Sequence, residues 1–365
     1  MAPMQALSRL MASFAVVLPI GLCEAQEDRQ SSSSRGKFLY EEYAGCASCH
    51  GFDGTGNVEG LKLDPPPPDL TDCSFNSREP RRDWSAVIAR GGEARGLSMS
   101  MPAYGEVLTA AQIDTIIDYL KTFCTDTGWP QGELNFRRPQ ITSKAFPENE
   151  ALLIPTYTND ARTSTVTKLV YERRLGRKGQ WEVAVPFATE SGPALSSGIG
   201  DVEVSVKHVL AHRPASMFIF SGGLEAAAPT GKSEIGIGNG TWKLAPFLAA
   251  GKGFDGFYVQ SSVKFEAPLE SEAGENELLY NFALTVPVTK EKKGLIPMLE
   301  FNGITATESG KTELFITPQF YYGLVRRGHI AVSFGSQIPV SSERPFDYRL
   351  VGFLLWEYAD GGLWW

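Results

Sequence analysis

The chain contains 365 residues, with 34 Lys and Arg against 42 Asp and Glu, and its net charge is −8. An acidic chain without a basic stripe is not expected to bind nucleic acid. Hydrophobic residues make up 42% of the sequence, and no long apolar run follows the first 25 positions. This composition is consistent with a β-barrel, in which lipid-facing residues alternate with polar ones.

Residues 1–25 have the features of a signal peptide. A basic residue precedes a short apolar stretch, and small residues lead to a cleavage position after Ala25, so we expect export. Cys23 raises the alternative of a lipoprotein, but Leu22 is too large for the position before a lipidated cysteine. Residues 26–35, which include four consecutive serines, are predicted to be a flexible leader.

The segment from Cys46 to His50 has the sequence Cys-Ala-Ser-Cys-His, the attachment pattern of c-type haem. Its two thiols can each add to one vinyl group of haem, and the imidazole of His50 then ligates the iron from the proximal side. The sequence contains no second copy of this motif. We therefore predict one covalently bound haem c, with Cys46 and Cys49 as attachment sites and His50 as an iron ligand.

An all-α haem domain is predicted over residues 36–126. Apolar spacing indicates a helix before the motif, a short helix over 84–90 and a final helix over 109–123. Residues 64–70 contain four consecutive prolines, and a carbonyl in this segment is a candidate acceptor for the ring proton of His50. A rigid spacer is an equally good interpretation of the prolines. The final helix has a candidate N-cap and an apolar face: Thr109, Ile113, Ile116, Ile117 and Leu120.

Cys73 and Cys124 remain when the signal peptide and the haem motif have taken three of the five cysteines. Both lie in the predicted haem domain. In an exported protein this pair indicates a disulfide, with two buried thiols as the alternative.

Met99 and Met101 lie in a loop just before the final predicted helix. The order and chemistry of the segment resemble the class I cytochromes c, in which a methionine of a Met-Pro-x-aromatic loop is the distal iron ligand. This resemblance makes Met101 the ligand and Met99 a neighbour. Ligation by His and Met leaves no open position on the iron, which implies electron transfer and not enzymatic catalysis. Three more distant histidines are weaker candidates: His208, His212 and His329.

From residue 151 to 365 the pattern is strict alternation, as in Trp181, Val183 and Val185. The alternating runs have the length of tilted membrane-spanning strands, about 10 residues. Residues 127–150 lack sustained periodicity and are predicted to be a linker or docking strap. We predict an all-β antiparallel barrel of about twelve strands, near residues 151–158, 164–175, 179–188, 199–211, 216–228, 241–251, 255–268, 276–287, 293–304, 312–324, 327–339 and 347–357.

The connections between these strands alternate between short turns and longer loops rich in Gly, Ser, Pro and Glu. Short periplasmic turns and long outer loops are typical of an outer-membrane barrel surrounded by lipid. The terminal pair Trp364–Trp365 resembles the insertion signal of bacterial outer-membrane proteins.

Three short motifs in the second half resemble the phenol-degradation and transporter-like porin family: residues 198–202, 228–231 and 354–362. The whole chain resembles the cytochrome–porin fusions, of which the outer-membrane iron oxidases are the known functional type. This resemblance implies transfer of single electrons at the outer membrane, between periplasmic carriers and a partner or an external donor or acceptor.

The size of the haem domain determines where we expect it. A domain of ~90 residues has a diameter of about 30 Å, whereas twelve strands close to a backbone diameter of about 24 Å. We therefore expect the domain at the periplasmic mouth, held by residues 127–150, and Fe(II) oxidation becomes a minority hypothesis. Two alternatives are a solute porin with an accessory haem domain, and a secreted periplasmic cytochrome with a β-sandwich that binds a partner.

Overall fold

The computed structural model describes residues 33–160, 163–191, 196–235, 237–270, 272, 274–288 and 294–360. The predicted signal peptide, most of the predicted leader and the terminal tryptophans lie outside the described residues. Within these ranges, no helix is both long enough and apolar enough to cross a membrane.

The N-terminal part of the described chain is helical, as predicted. Helix α1 runs through 33–38 and continues as a π-helical turn over Leu39–Tyr43. The other helices follow in chain order: α2 (Ala47–His50), α3 (Cys73–Arg78), α4 (Arg81–Arg90), a 3-10 turn (Gly92–Arg95) and α5 (Ala110–Thr122).

Helix α5 organises the core of this domain. Thr109 is its N-cap, because the Thr109 hydroxyl accepts the Gln112 N–H while the Gln112 side chain accepts the Thr109 N–H. The predicted apolar face of α5 is buried against α1, which contributes Leu39 and Tyr40. A disulfide joins Cys73 to Cys124 and so connects α3 to the chain just after α5.

Twelve antiparallel strands follow within the described residues. They are β1 (Glu150–Asn159), β2 (Ser164–Leu175), β3 (Gly179–Glu190), β4 (Ser196–Ile199 and Val202–Arg213), β5 (Phe218–Ala228), β6 (Lys243–Gly253), β7 (Tyr258–Pro268), β8 (Glu277–Thr285), β9 (Gly294–Ala306), β10 (Thr312–Gly323), β11 (Ile330–Pro339) and β12 (Tyr348–Glu357). The two segments of β4 count as one strand because both pair with β3. Strand β1 pairs with β12, which closes the sheet into the predicted barrel.

Two of the porin-like motifs meet at the break in β4. The Asp201 carboxylate accepts the N–H of Gly231 at 3.0 Å and the N–H of Asn239 at 2.7 Å. The Thr230 hydroxyl donates to the carbonyl of Gly200 at 2.8 Å. These contacts attach the β5–β6 loop to the wall, so the motifs have a structural role here.

The barrel is apolar outside and polar inside. Along β4, Val204 and Val206 are 47% and 52% exposed, whereas Ser205 and Lys207 are each 8% exposed. In a β-sandwich the buried face of each sheet is apolar, whereas the buried face of this sheet is polar. The β-sandwich alternative is therefore wrong. A closed barrel with an apolar exterior is the architecture of membrane-spanning β-proteins. Polar residues buried on other strands continue the pattern: Glu172, Gln180, Ser221, Gln260, Glu300 and Gln319.

Residues 127–149, which we call the strap, run through the barrel lumen. Glu300 on β9 accepts the backbone N–H groups of Gln140 and Thr142 at 2.8 and 2.7 Å. From the opposite part of the wall, the Lys207 ammonium donates to the Lys144 carbonyl at 2.7 Å. Within the described chain, inward-facing side chains from eight strands form hydrogen bonds with the strap: Glu150, Glu172, Gln180, Lys207, Ser221, Gln260, Ser262, Glu300 and Ser333.

The haem domain contacts the end of the barrel that carries the short turns. Arg177, in the β2–β3 turn, pairs with Asp126 at 3.0 Å. Arg326, in the β10–β11 turn, accepts through its carbonyl a hydrogen bond of 3.2 Å from the Arg95 guanidinium. The domain therefore lies at this mouth, and the strap enters the barrel from it.

Candidate haem site

The attachment motif lies on a short helix whose C-terminal end is held by two hydrogen bonds. Cys46 is the N-cap of α2, and His50 is its last residue. The Tyr40 hydroxyl donates to the Gly51 carbonyl at 2.7 Å, and the His50 carbonyl accepts the Gly56 N–H at 2.9 Å. Burial raises the pKa of the Cys46 thiol to about 11. Both thiols of the motif are unbridged and line one cavity.

His50 is partly buried in the same cavity wall. Burial lowers the pKa of its imidazole, which favours the neutral form that ligates metals. Its Nδ1 atom is buried and has no hydrogen-bond partner among the described residues. The hydrogen bond predicted from His50 to a carbonyl of the proline segment is therefore not formed in this structure. Prolines of that segment do line the cavity: Pro65, Pro66, Pro67 and Pro68.

The loop that carries the two methionines is fastened to the end of α4. Its Met101 carbonyl accepts the Gly92 N–H at 3.0 Å. Only glycine fits at position 92, because a Cβ there would lie 2.2 Å from the Ser98 carbonyl oxygen. Met101 lines the cavity and packs on the domain core, whereas the Met99 side chain is 80% exposed. The geometry thus favours Met101 over Met99 as a ligand.

The cavity between these elements has a volume of about 470 Å³ and mainly apolar walls. Its donor set consists of two thiols, one imidazole and one thioether, which are the groups that would attach haem c covalently and ligate its iron. The residues therefore fit the haem that the motif predicts. The other candidate histidines belong to the barrel and do not line this cavity: His208, His212 and His329.

Two arginines in the cavity wall were not identified by sequence analysis. Arg95 lies in the 3-10 turn before Met101, and Arg327 lies in the β10–β11 turn of the barrel. Its closeness in sequence to Met101 is a signal that could have identified Arg95 as a candidate. No sequence signal connects Arg327 to a domain that ends two hundred residues earlier.

The helical part of the fold matches a known protein family. The model of the cytochrome c family matches residues 33–123. The chain is similar to an outer membrane channel from Pseudomonas putida F1, with 13% identity over 60% of this chain and 99% of that one and a TM-score of 0.47. The chain is also similar to the KdgM porin, with 10% identity over 57% of this chain and 98% of that one and a TM-score of 0.39.

The NanC porin has 8% identity over 56% of this chain and 97% of its own, with a TM-score of 0.40. No curated protein matches the chain in sequence. The chain is a fusion of a cytochrome c domain, at residues 33–123, with a closed twelve-strand antiparallel β-barrel.

Proposed function

We propose that this protein is an outer-membrane cytochrome that transfers single electrons. The observation that carries the proposal is the shared cavity of Cys46, Cys49, His50 and Met101. Haem held there by the two thiols, His50 and Met101 would supply a one-electron iron couple. The two thiols hold it covalently, and the apolar walls exclude water from it. Such a site exchanges electrons with redox partners and does not bind a substrate at the iron.

The exterior of the barrel supports a position in the outer membrane. Its apolar residues face outward on a closed sheet, which satisfies every strand edge in lipid. Short turns of bacterial barrels face the periplasm. Because the haem domain contacts the short-turn end, we place it in the periplasm, within reach of a soluble electron carrier.

The strap favours electron transfer over solute uptake as the main function. Side chains from eight strands hold it across the lumen, and its Leu134 and Phe136 pack against the wall residues Val209 and Ile219. A solute would have to displace this packing to pass.

The proposal is tested by separating the membranes of cells that express the full chain. We expect a haem-stained band in the outer-membrane fraction whose gel mobility changes on heating, and rapid oxidation of the purified reduced protein by a soluble periplasmic cytochrome. The C46S/C49S double variant is the matched control, because no thiol of the motif remains to bind haem covalently. It should lose covalent haem stain while the barrel remains heat-modifiable. Haem confined to the soluble periplasm, or absent from the wild-type chain, contradicts the proposal.

A further inference from the structure

The wall of the haem cavity includes one residue from the barrel. Among the described residues, the others that line it belong to the helical domain, but Arg327 reaches it from the β10–β11 turn. Arg327 and Arg95 are the two arginines in this wall. The barrel therefore contributes a cation to the haem cavity, in addition to holding the domain at its mouth.

The turn that carries Arg327 is bound to the haem domain by a partly buried hydrogen bond. Arg95 is 5% exposed, and one of its Nη atoms donates to the carbonyl of Arg326 at 3.2 Å. Its other Nη atom pairs with Asp83 at 2.6 Å. Arg95 lies in the 3-10 turn that leads into the Met101 loop, so the barrel turn contacts the element that positions the predicted distal ligand.

The two arginines differ in their carboxylate partners. The charge of Arg95 is balanced by Asp83. Within the part of the chain that the structure describes, Arg327 forms no ion pair, and its neighbour Arg326 is exposed to solvent. An arginine at the edge of an apolar cavity is suited to a carboxylate, because its planar guanidinium can donate two parallel hydrogen bonds.

Haem carries two propionate carboxylates on an otherwise apolar ring. A carboxylate held against apolar walls is costly unless a cation or several donors accompany it. We propose that Arg327 of the barrel binds a haem propionate, so that the barrel completes the haem site. This inference rests on the proposed haem binding at Cys46 and Cys49. It makes the electronic properties of the haem dependent on the docked barrel.

The charge of Arg327 then stabilises the reduced iron, because reduction lowers the positive charge of the centre. We expect the R327Q variant to favour the oxidised state about tenfold more than the wild type does, which is a fall of about 59 mV in a one-electron potential. The R327K variant keeps the charge but not the bidentate geometry, so we expect a smaller fall. The measurement is spectroelectrochemical titration of the full-length protein in detergent.

R326Q is the matched control, because Arg326 lies in the same turn and its backbone carbonyl, which accepts from Arg95, is retained. We expect it to change the potential much less than R327Q. Each variant is first checked for covalent haem content and for heat-modifiable mobility. Equal potentials for R327Q and R326Q, in variants that carry full haem, overturn the inference and leave the proposed function intact. Loss of covalent haem from the wild-type chain refutes the proposed function itself.

Discussion

Met101 and Met99 are close in sequence but differ in their surroundings. Met101 packs on the core of the haem domain, and Met99 is mostly exposed. Methionine ligation raises the potential of haem iron relative to other ligand sets. We therefore expect the M101A variant to lose the methionine-to-iron absorption band, to bind added cyanide, and to fall in potential by on the order of 0.1 V. M99A should retain all three wild-type properties, and the reverse result would assign the ligand to Met99.

Lys121 provides a prediction about pH. Its ammonium lies 5.1 Å from the centre of the Trp84 ring, which lines the haem cavity, and donates to the Glu79 carbonyl at 2.9 Å. Burial lowers the pKa of Lys121 to about 8. A cation near the haem favours the reduced iron, so loss of the proton as pH rises through 8 should lower the potential. The expected fall is about 1 kcal/mol, or roughly 40 mV.

Potentiometric titration between pH 7 and pH 9 measures this effect. The K121M variant should lack the fall, because it retains the aliphatic bulk without the charge. K37M is the control, since Lys37 is 59% exposed on α1 and should leave the fall in place. An identical pH profile for K121M and the wild type would show that another group titrates.

At the scale of elements, the position of the strap in the lumen depends on the carboxylate of Glu300. Glu300 is fully buried and accepts the N–H groups of Gln140, Ile141 and Thr142. Hydrogen bonds to a charged acceptor are each worth about 1.5–3 kcal/mol. In E300Q an amide NH₂ replaces one acceptor oxygen, so two sets of donors would face each other. We expect the three strap amides to exchange their hydrogens about 10–100-fold faster.

Hydrogen exchange with mass spectrometry of the protein in detergent measures this change. E225Q is the control, because Glu225 pairs with Lys264 on the lumen wall and not with the strap. Unchanged exchange of residues 140–142 in E300Q would show that the apolar packing of the strap is sufficient to hold it.

The elements with regular spacing could be predicted from the sequence. The apolar face of α5 and the alternation in the barrel strands repeat over many residues, so chance matches are few. The strap has no such repeat. Its course depends on Glu300 and other inward-facing polar residues, and sequence cannot tell these from the rest of a polar lumen. In the structure the strap lies between the helical domain and β1, but its path through the barrel was not foreseen.

The candidate site divides in the same way. Cys46, Cys49 and His50 form a local motif whose spacing is fixed by haem chemistry, so the sequence identifies them directly. Met101 needed a family resemblance to distinguish it from Met99. Arg327 enters the cavity through docking between domains, which no local pattern encodes. Contacts set by docking are thus the part of the site that only the structure shows.

At the scale of the whole molecule, the haem domain, the strap and the barrel form one continuous assembly. The domain contacts the short turns, and the strap continues from it into the lumen. A twelve-strand barrel has a backbone diameter of about 24 Å, wider than the eight-strand barrels whose interiors are filled by side chains. The wall alone would therefore leave an aqueous channel, and the strap is the element that fills it.

Two truncations test whether the strap or the haem domain closes the barrel lumen. A variant that lacks residues 33–126 keeps the strap, and a variant that lacks residues 33–149 begins at β1 directly after the leader. In planar bilayers we expect stable ionic conductance from the second variant and conductance near the protein-free background from the first. The reason is that the strap's contacts with Glu300, Lys207 and Ser221 belong to the barrel wall and do not involve the haem domain.

Both variants must first show heat-modifiable mobility, which establishes that the barrel has folded without its N-terminal domain. Open channels in both would mean that the haem domain covers the mouth and that the strap alone does not close the lumen. Closed channels in both would mean that wall side chains are sufficient. Either result would show that the strap is not the element that closes the lumen. Conductance only in the variant that lacks residues 33–149 would show that solutes cannot pass while the strap occupies the lumen.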